Sequence, residues 1–434
     1  MAKQIVIPKP TKVPHNWCWI ELGKLTSMKS GFPFDSKRFT RSKSANARPL
    51  IRIRDVVNGA TETYTDQECP KEYVIKKGEI LIGMDGDFNV GKWQSEDALL
   101  NQRVCCIQSC SSLYLDDFLF YYLPDPLKKI NDATPSVTVK HLSTKTLAIT
   151  PVPVPPLPEQ QRIVDRIESL FAKLDEAKQK AQDALGSFET RKAAILHKAF
   201  TGELTAQWRK EHGVGIESWR TVTFKDACLK ITDGTHHSPV NTPTGEYMYV
   251  TAKNIKETGI DLTNITFVSK DVHDEIYSRC DVQYGDVLYI KDGATTGIAA
   301  VNTIEEPFSL LSSVAVLRPD KKQIVAEYMV YNLNSSKTKT MMINNMSGNA
   351  ITRLTLSKIK TAPITVCSLD EQNEIVRILD DLLAKEQQAK EAAERVLEQI
   401  DLIKKAILAR AFRGELGTND PSEESAMELL KSVV

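Results

Sequence analysis

The sequence lacks any apolar stretch that could cross a membrane, since no run approaches the roughly 18–20 uncharged residues that a spanning helix needs. Its first residues, MAKQIVIP, contain no apolar core of a secretory signal peptide before the first proline. The eight cysteines show neither a CxxC pair nor the spacing of a disulfide framework, a usage typical of a reducing compartment. These absences predict a cytoplasmic protein without a membrane partner.

Signatures of catalysis are missing as well. The chain has no HExxH, GxSxG or GxGxxG pattern and no NPPY-type tetrapeptide. Residues 86–92 read GxxxxGK, but Trp93 stands where a phosphate loop needs a Ser or Thr for Mg²⁺. His236 and His237 lie near Asp233, yet no second cluster at ligand spacing accompanies them. We therefore expect a binding protein with no catalytic residues, no metal and no cofactor of its own.

Charge of neither sign dominates, because 56 Lys and Arg residues balance 56 Asp and Glu residues. The zero net charge hides a gradient, since residues 1–50 hold ten basic residues against only Glu21 and Asp35. With 434 residues, 41% hydrophobic and 26% charged, the chain has the composition of a globular protein of about two to four domains.

The most informative feature is an internal repeat. Residues 159–204 align without a gap on residues 371–416, with 20 identities in 46 positions. Both copies end in AF-x-GEL, at 199–204 and 411–416. Generic helix composition gives scattered matches rather than a shared terminal sequence, so this is a duplication.

The regions before each copy also correspond, more loosely. Trp17 matches Trp219, the Asp-Gly pair at 85–86 matches that at 292–293, and Leu142 matches Leu354. The predicted organisation is therefore a globular region and a helix, each present twice. We place the segments at 1–158, 159–212, 213–368 and 369–416, followed by a polar tail at 417–434 in which residues 426–430 suggest a short helix.

Each repeated helix carries apolar residues at the 3-4 spacing of a coiled-coil seam. Similar helices in one chain can pack antiparallel, which predicts a rod with a globular lobe at each end and an approximate two-fold axis. Gly186 and the charged Glu386 depart from an ideal seam, and Gly186 allows a kink. The predicted seam residues are Ile163, Ile167, Leu170, Leu174, Phe188, Ile375, Leu379, Leu382, Val396, Ile400, Ile403 and Ile407.

Both globular regions show short strand-like runs with single helical patches between polar turns. The predicted fold class is α+β, with two mixed α/β domains separated by two long helices that form an antiparallel coiled coil with pseudo-two-fold symmetry. The predicted strands lie at 50–53, 79–82, 104–107, 247–250, 287–290 and 313–317, and the predicted helical patches at 115–123 and 326–333.

Basic residues alternate with Ser, Asn and Phe over 29–48, a mixture that suits contacts to phosphates and base edges. Arg52 and Arg54 alternate along a predicted strand and so share a face. A solvated loop is the competing interpretation of the basic stretch. The candidate DNA contacts are Lys29, Lys37, Arg38, Arg41, Lys43, Arg48, Arg52, Arg54 and Lys92 in the first region, and Lys230, Thr235, His236, His237, Lys253, Asn254, Lys291, Thr295 and Thr296 in the second.

The order of regions, together with PPLPEQQ-I at 155–163, AF-TGELTAQWR at 199–209 and ILARAFRGEL at 407–416, resembles the specificity (S) subunit of type I restriction–modification systems. The resemblance covers nearly the whole chain. It implies two target recognition domains that read a bipartite sequence in double-stranded DNA. It also implies that the coiled coil docks two methyltransferase (M) subunits, which motor-nuclease (R) subunits join, and that S-adenosylmethionine, ATP and Mg²⁺ bind to those partners.

Two other functions remain open from the sequence. One is a self-contained specificity factor of a defence system with its own catalysis, which the missing motifs disfavour. The other is a coiled-coil scaffold that binds no nucleic acid. Loss of DNA occupancy on removal of the basic residues at 37–48 would separate a DNA reader from such a scaffold.

Overall fold

The structure is a computed structural model that describes residues 11–134, 139–344 and 354–428. The chain forms two compact units. The first unit comprises residues 1–180 and 396–434, and the second unit comprises residues 181–395. These units divide both long helices, so they group the chain differently from the five predicted segments, which stay a prediction.

Besides parts of the two long helices, the described residues of the first unit form short strands and short helices. Its strands are β1 Cys18–Glu21, β2 Thr26–Ser30, β3 Arg48–Ile51, β4 Tyr64–Thr65, β5 Val74–Ile75, β6 Ile80–Gly83, β7 Val90–Lys92, β8 Ala98–Leu100, β9 Val104–Ser109 and β10 Pro151–Val154. Its short helices are α1 Asp116–Tyr122, α2 Pro124–Ala133 and α3 Thr144–Ala148.

Two four-stranded sheets form the centre of the first unit. One is antiparallel in the order β2-β9-β6-β7, and the other has the order β4-β3-β8-β5, with β3 and β8 parallel. The pair β1-β10 joins the start of the region to its end. The main core packs these strands and α1–α3 against the first turns of a long helix, with Ile163 and Ile167 fully buried.

That long helix is interrupted directly after Gly186. Helix α4 runs from Leu157–Gly186 and α5 from Phe188–Phe200, so the predicted kink near Gly186 is confirmed as a break at Ser187. The short helix α6, Ala206–Glu211, follows. Gly186 lowers helix stability by about 1 kcal/mol relative to alanine, which favours a break at this position over its neighbours.

The second unit contains the remaining strands. They are β11 Arg220–Thr223, β12 Cys228–Asp233, β13 Tyr247–Val250, β14 Ile255–Lys256, β15 Gly259–Ile260, β16 Thr266–Val268, β17 Val287–Ile290, β18 Ala299–Val301, β19 Ser309–Leu310, β20 Val314–Pro319 and β21 Pro363–Val366. Its helices are α7 Phe224–Ala227, α8 Lys270–Arg279, α9 Ala326–Asn334, α10 Ser336–Asn344 and α11 Leu356–Thr361, and the second long helix, α12 Leu369–Ala411, contributes to both units.

The topology of the second unit repeats that of the first. Its sheet β12-β20-β17-β18 corresponds to β2-β9-β6-β7, its parallel pair β13/β19 corresponds to β3/β8, and β11-β21 corresponds to β1-β10. The loose sequence correspondence between the globular regions therefore reflects a shared fold. The α+β prediction is confirmed, and each of the six predicted strands and two predicted helical patches coincides with an element to within two residues at its ends.

Within each unit the long helices pack antiparallel. In the first unit Arg162 donates to the carbonyl oxygen of Thr418, just beyond the end of α12, and Nζ of Lys404 lies 2.6 Å from a carboxylate oxygen of Asp175, so the partner number falls as the residue number in α4 rises. In the second unit the ammonium group of Lys390 lies over the Phe188 ring, and Arg191 pairs with Glu386 at 2.8 Å. The contacted residue in α12 thus has a lower number as the residue number in α5 rises, which means that the two helices run in opposite directions. Glu386 therefore sits on the seam as predicted, and a cation from the facing helix compensates its charge.

Most predicted seam residues are covered by the facing helix or by the adjoining domain. Ile163, Ile167, Ile375, Leu379 and Ile400 are buried, as is Phe188, and Leu170, Leu174, Leu382 and Ile407 are half-buried. The burial of these positions follows the 3-4 spacing.

Two predicted seam residues are wrong. Val396 and Ile403 are 39% and 42% exposed, because the seam in this part of α12 runs through Ala393 and Ile400, with half-buried Leu397 between them. Those residues keep the 3-4 spacing, whereas Val396 and Ile403 lie on the adjacent face of the helix. The apolar pattern of α12 is broad enough to admit both registers, and the sequence could not separate them.

The shared AF-x-GEL sequence forms the end of each long helix. Helix α5 ends at Phe200 and α12 at Ala411. Gly202 and Gly414 follow with φ of +81° and +72°, a conformation that glycine adopts without strain. The alanine of each copy, Ala199 or Ala411, is fully buried. The duplicated residues are thus those required to stop a helix and pack its last turn.

The polar tail packs on the first unit. Arg162 donates from both terminal nitrogens to the carboxylate of Glu423, at 2.8 and 2.9 Å. The backbone N–H of Ala426 donates to the carbonyl oxygen of Asn16 at 3.1 Å, and Ala426 is buried. A short helical turn covers 426–428, and the rest of the predicted helix at 429–430 lies outside the described residues.

In the part of the chain that the structure describes, none of the helices combines the length and apolarity required to span a bilayer. The GxxxxGK segment enters strand β7 rather than a helix, and Trp93 is fully buried. A phosphate loop places its lysine at the start of a helix, so this segment has the wrong geometry for one.

Candidate nucleic-acid interface

Four chain segments meet at one end of the first unit's antiparallel sheet. The N–H of Met84, after β6, donates to the carbonyl of Arg103 in the β8–β9 turn at 2.9 Å. The N–H of Leu142 donates back to Met84 O at 2.8 Å, and Gln102 N–H donates to Phe32 O at 2.9 Å. The loop after β2, which carries the basic stretch, is therefore fixed beside the turn after β6. We call this meeting point the loop junction of the first unit.

The second unit has the same junction. Lys291 N–H, after β17, donates to Ser313 O at 2.9 Å, and Leu354 N–H donates to Lys291 O at 3.2 Å. Ser312 N–H donates to Thr235 O at 2.8 Å, which attaches the loop after β12. Each contact matches one in the first unit, so the two regions present equivalent loops on equivalent scaffolds.

One glycine in each junction makes the close approach possible. A Cβ added to Gly31 would overlap the carbonyl oxygen of Asn101, and one added to Gly234 would overlap that of Leu310. Any other residue would push the loop away from the neighbouring strand. Gly31 directly follows β2, and Gly234 directly follows β12. The residues around them form no recognisable motif, so the sequence did not indicate their role.

The basic stretch of the first unit is exposed. Lys29 lies on β2, where Nζ donates to Glu72 O at 2.6 Å, and Arg38 pairs with Asp66 at 2.8 Å, which raises the pKa of the Arg38 guanidinium. Lys43 pairs with Glu96 at 2.8 Å. Among the described residues Lys37, Arg41 and Arg48 have no ion pair within 4 Å. Arg48 begins β3, so the three free cations lie on the loop and on its return to the sheet.

Aromatic side chains support this loop from below. The Phe32 and Phe34 rings meet edge to face at 5.0 Å between centroids, and Phe32 meets Tyr73 at 5.4 Å. The Arg52 guanidinium lies 5.6 Å from the centre of the Phe39 ring. The phenylalanines that alternate with the basic residues thus hold the loop in place, and the basic residues remain at its surface.

Arg52 and Arg54 do not lie along a strand. Strand β3 ends at Ile51, and Ile53–Asp55 form a 3₁₀ turn capped by the Asp55 side chain, which accepts from Arg52 N–H at 2.8 Å. The shared face predicted from strand alternation is therefore wrong: Arg54 is exposed, whereas Arg52 is half-buried against Phe39. Lys92 is also half-buried, paired with Asp117 over the Phe120 ring.

The candidates in the second unit divide by burial. His236, His237, Lys253 and Thr295 are exposed, and Thr235 is half-buried at the junction. Lys230 is half-buried and paired with Asp281. These residues are sparser in cations than the first unit's loop and richer in hydroxyl and imidazole groups.

Three other candidates in the second unit are buried, which places them inside the domain rather than at its surface. Asn254 accepts from Thr251 N–H at 3.0 Å and closes a turn. Thr296 donates to Gly293 O at 2.7 Å. Lys291 is 8% exposed in its side chain and lies 3.1 Å from Asp292. Each side chain is used in shaping a loop, so a surface contact from it would require the loop to open.

Asp233 is the centre of a buried ionic group in the second unit. Its carboxylate is 4% exposed and contacts Arg279, Lys291 at 3.4 Å and His236 at 3.5 Å. A carboxylate this buried is stabilised by such partners, which tie the end of β12 to α8 and to the turn after β17. Asp233 thus has a structural role in holding the segments of the second loop junction together. Over the described ranges no group of three or more His, Cys, Asp or Glu side chains has the arrangement of a metal site.

Sequence reasoning missed two exposed residues at the first junction, Arg103 and His141. Both side chains contact Asp85, and they come from segments far apart in the chain. Isolated basic residues in unrelated turns give no pattern in the sequence. Only the correspondence of the two Asp-Gly pairs marked this turn.

The family model described as the type I restriction modification DNA specificity domain matches residues 14–185 and 216–398. The chain belongs to this family. The two matched ranges confirm both the resemblance inferred from the sequence and the duplication.

Curated members of the specificity-subunit family align over nearly the whole chain. The specificity subunit of the type I restriction enzyme EcoBI from Escherichia coli is 31% identical, over 92% of this chain and 86% of the relative. The EcoKI specificity subunit from Escherichia coli K12 is 22% identical, over 93% and 90%. The chain is therefore a DNA specificity subunit of a type I restriction–modification system, and specificity subunits are not the catalytic subunits of these enzymes.

Solved structures agree in fold. The HsdS subunit from Thermoanaerobacter tengcongensis matches with a TM-score of 0.63 at 18% identity, covering 94% of this chain and 99% of that one. A chain from a structure titled for complex assembly and conformational transition of the type I R-M system matches with a TM-score of 0.67 at 19% identity, covering 94% and 100%.

Proposed function

We propose that this specificity subunit reads a bipartite, asymmetric target in double-stranded DNA, with each loop junction contacting one half. The observation that carries the proposal is that the same scaffold occurs twice with different side chains at its surface. The basic loop of the first unit exposes Lys37, Arg41 and Arg48, whereas the exposed candidates of the second unit are His236, His237, Thr295 and a single lysine, Lys253. Equivalent scaffolds with unlike surfaces are what two unlike half-sites require.

The basic loop of the first unit suits DNA for a physical reason. Lys37, Arg41 and Arg48 have no acidic partner among the described residues, so phosphate oxygens can become their partners without breaking an ion pair. The second unit offers fewer cations, so we expect phosphate contacts to contribute more in the first half-site than in the second.

We also propose that the long helices dock two M subunits, through which R subunits join. The last part of α12 exposes the apolar side chains of Val396, Leu402 and Ile403 at 39%, 65% and 42%, which a partner subunit would cover. Beside it lies a cavity of about 450 Å³ in the first unit. Its lining includes aromatic and basic side chains and one acidic side chain, among them Trp19, Tyr121, Tyr122, Asp125, Lys128, Lys129, Lys405, Leu408, Phe412 and Arg413. S-adenosylmethionine, ATP and Mg²⁺ would then bind to the partners and not to this chain.

Methylome sequencing tests the proposal. Cells that carry this chain and its M subunit should acquire one new bipartite adenine-methylation motif, absent from cells carrying either gene alone. Exchange of residues 1–158 for the same region of another specificity subunit should change one half of the motif and leave the other half intact. If no bipartite motif appears although the complex assembles, or if both halves change together, the proposal is wrong.

Catalysis by the chain itself is tested with the purified protein. Methyl transfer or DNA cleavage without an M or R subunit would identify a self-contained factor instead. We expect neither, and we expect weak DNA binding by the isolated chain because the partners supply further contacts.

A further inference from the structure

A single carboxylate at the first loop junction gathers two exposed side chains from distant segments. Oδ2 of Asp85 accepts from Nη1 of Arg103 at 2.6 Å, and Oδ1 of Asp85 lies 2.7 Å from Nδ1 of His141. The Asp85 side chain is 14% exposed, whereas those of Arg103 and His141 are 61% and 68% exposed. The carboxylate is therefore mostly buried, and its two partners are exposed to solvent.

The position of Asp85 is fixed by the backbone around it. Gly86 N–H donates to Lys140 O at 3.0 Å, and Asp85 forms a β-bridge with His141. Gly86 has φ of +76°, which lets the chain turn directly after the aspartate. Because the neighbouring Met84 is bonded to Arg103 O and to Leu142 N–H, the backbone that carries these three side chains is attached to the end of the sheet.

The same scaffold carries different chemistry in the second unit. Asp292 matches Asp85, and Ser313 takes the place of Arg103, since its carbonyl accepts the equivalent hydrogen bond from Lys291. Asp292 is bonded there to the adjacent Lys291 at 3.1 Å, and the Ser313 hydroxyl is buried without a hydrogen-bond partner among the described atoms. Arg103 and Ser313 thus occupy equivalent backbone positions in the two recognition domains, but their side chains differ.

We propose that Arg103 and His141 contact base edges in the half-site read by the first unit, and that Asp85 is the positioning residue that orients both. This deepens the proposed function and rests on it. The Asp85 contact uses one terminal nitrogen of the guanidinium, so further Arg103 N–H groups remain to donate to a guanine edge. With Nδ1 of His141 held by Asp85, Nε2 faces outward for a second base contact.

Holding these groups by a carboxylate gives specificity rather than only affinity. A free surface arginine can follow a phosphate wherever it lies, whereas one fixed by a hydrogen bond meets a base edge in one geometry. The basic loop contains three cations that can follow a phosphate in this way, because no acidic group among the described residues pairs with them: Lys37, Arg41 and Arg48. The first unit would thus contain both kinds of contact, with separate roles in affinity and in reading.

The test uses the complex of the full chain with its M subunit. Methylation rates are measured on DNA duplexes in which each base pair of the two half-sites is substituted in turn, for wild type and for Arg103→Ala, His141→Ala, Asp85→Asn and Arg103→Lys. We expect Arg103→Ala to reduce discrimination at one position of the first half-site by about tenfold or more, with the second half-site unchanged. Arg103→Lys should restore only part of it, and Asp85→Asn should weaken discrimination at the same position while the maximal rate is retained.

A control variant and three outcomes complete the test. Lys24→Ala removes an exposed cation at the opposite end of β2 and should leave every ratio unchanged. Equal loss on all duplexes would show a phosphate contact and would overturn the base-reading assignment, as would unchanged ratios for Arg103→Ala and His141→Ala. If Asp85→Asn fails to fold, Arg103→Ala and His141→Ala still test the base-reading assignment, because both residues are exposed. A wild-type complex that discriminates in neither half would overturn the proposed function itself, and this assignment with it.

Discussion

Nε1 of Trp17 donates a hydrogen bond to Oε2 of Glu159 at 2.8 Å, and this contact joins the start of the first recognition domain to the start of the long helix. Trp219 makes the equivalent bond to Glu371 at 2.9 Å in the second unit. The two glutamates differ in their other oxygen. Oε1 of Glu371 accepts from Arg209 at 2.7 Å, whereas Oε1 of Glu159 is buried without a hydrogen-bond partner among the described atoms.

This difference predicts that the same substitution affects stability differently at the two positions. Glu371→Gln should lower the free energy of unfolding by about 2–3 kcal/mol, because it leaves the 10%-exposed Arg209 guanidinium without its counter-charge. Glu159→Gln should leave the free energy of unfolding within about 0.5 kcal/mol of wild type or raise it, since the amide oxygen can still accept from Trp17. Denaturant unfolding of both variants measures the difference. Equal destabilisation by the two substitutions would contradict the account of the unpartnered oxygen.

Glu159 also predicts a pH dependence. Burial raises the pKa of its carboxyl above the usual value of 4.5, and hydrogen bonds from Trp17 and Asn419 offset part of that effect. A carboxyl with a raised pKa in the folded state binds its proton more tightly there, so its contribution to stability falls as the pH rises from 4.5 through the folded pKa. The stability of Glu159→Gln relative to wild type should therefore increase over this range. Melting temperatures of both proteins from pH 4 to 8 measure it, and a constant difference would refute the assignment.

Much of this architecture was predictable because duplication and apolar spacing are local properties of the sequence. The strand Val287–Ile290 and the helix ends at Gly202 and Gly414 follow from runs of a few residues. The side-chain partners were not predictable in the same way. Trp17 and Glu159 were matched with Trp219 and Glu371 by the repeat, but their hydrogen bond depends on how segments 142 residues apart fold together.

The same limit explains the errors. Val396 and Ile403 fit an apolar seam, and only the packing of Ala393 against its neighbours decides which face of α12 is covered. Arg52 and Arg54 alternate as strand residues do, but the Asp55 side chain caps a turn and ends the strand before them. Arg103 and His141 could not be predicted as a pair because their shared partner, Asp85, is 18 and 56 residues from them in the chain.

The tail supplies a further prediction. Glu423 accepts two bonds from Arg162, so Glu423→Ala should lower the free energy of unfolding of the first unit by about 1–2 kcal/mol. Glu424 is exposed and provides the matched control, for which we expect a change below about 0.5 kcal/mol. Removal of residues 417–434 should lower the free energy of unfolding by more than Glu423→Ala does, because it also removes the hydrogen bond from Asn419 to Glu159. Thermal unfolding of the three proteins tests this order, and equal melting temperatures for Glu423→Ala and Glu424→Ala would count against it.

The charged pair on the seam should be measurable as a coupling between helices. Arg191 and Glu386 lie 2.8 Å apart with side chains 37% and 21% exposed, so solvent screens the pair only partly. We expect a coupling energy of about 1 kcal/mol from the double-mutant cycle with alanine at both positions. The exposed pair Arg395–Glu391, within one helix at 4.0 Å, is the comparison and should give less than about 0.5 kcal/mol. A cycle at Arg191 and Glu386 that gives no coupling would mean that Glu386 only weakens the seam.

Salt dependence tests the basic loop directly. Arg41 and Arg48 are exposed and have no ion pair within 4 Å among the described residues, so each is free to neutralise a phosphate. Each phosphate contact contributes about 0.9 to the slope of the logarithm of the binding constant against the logarithm of salt concentration. The double variant Arg41→Ala with Arg48→Ala should therefore reduce that slope by about 1.8 in the complex with the M subunit.

The control for this measurement is Lys24→Ala with Lys145→Ala, which removes two exposed cations of the same unit outside the basic loop. Fluorescence anisotropy with target DNA between 50 and 300 mM salt gives both slopes. Because phosphate contacts carry no base information, the affinity of the loop variant should fall by the same factor on target and non-target DNA. An unchanged slope would mean that the loop is only solvated and does not contact the phosphates. A slope change shared by the control variant would show instead that overall charge, and not this loop, sets the affinity.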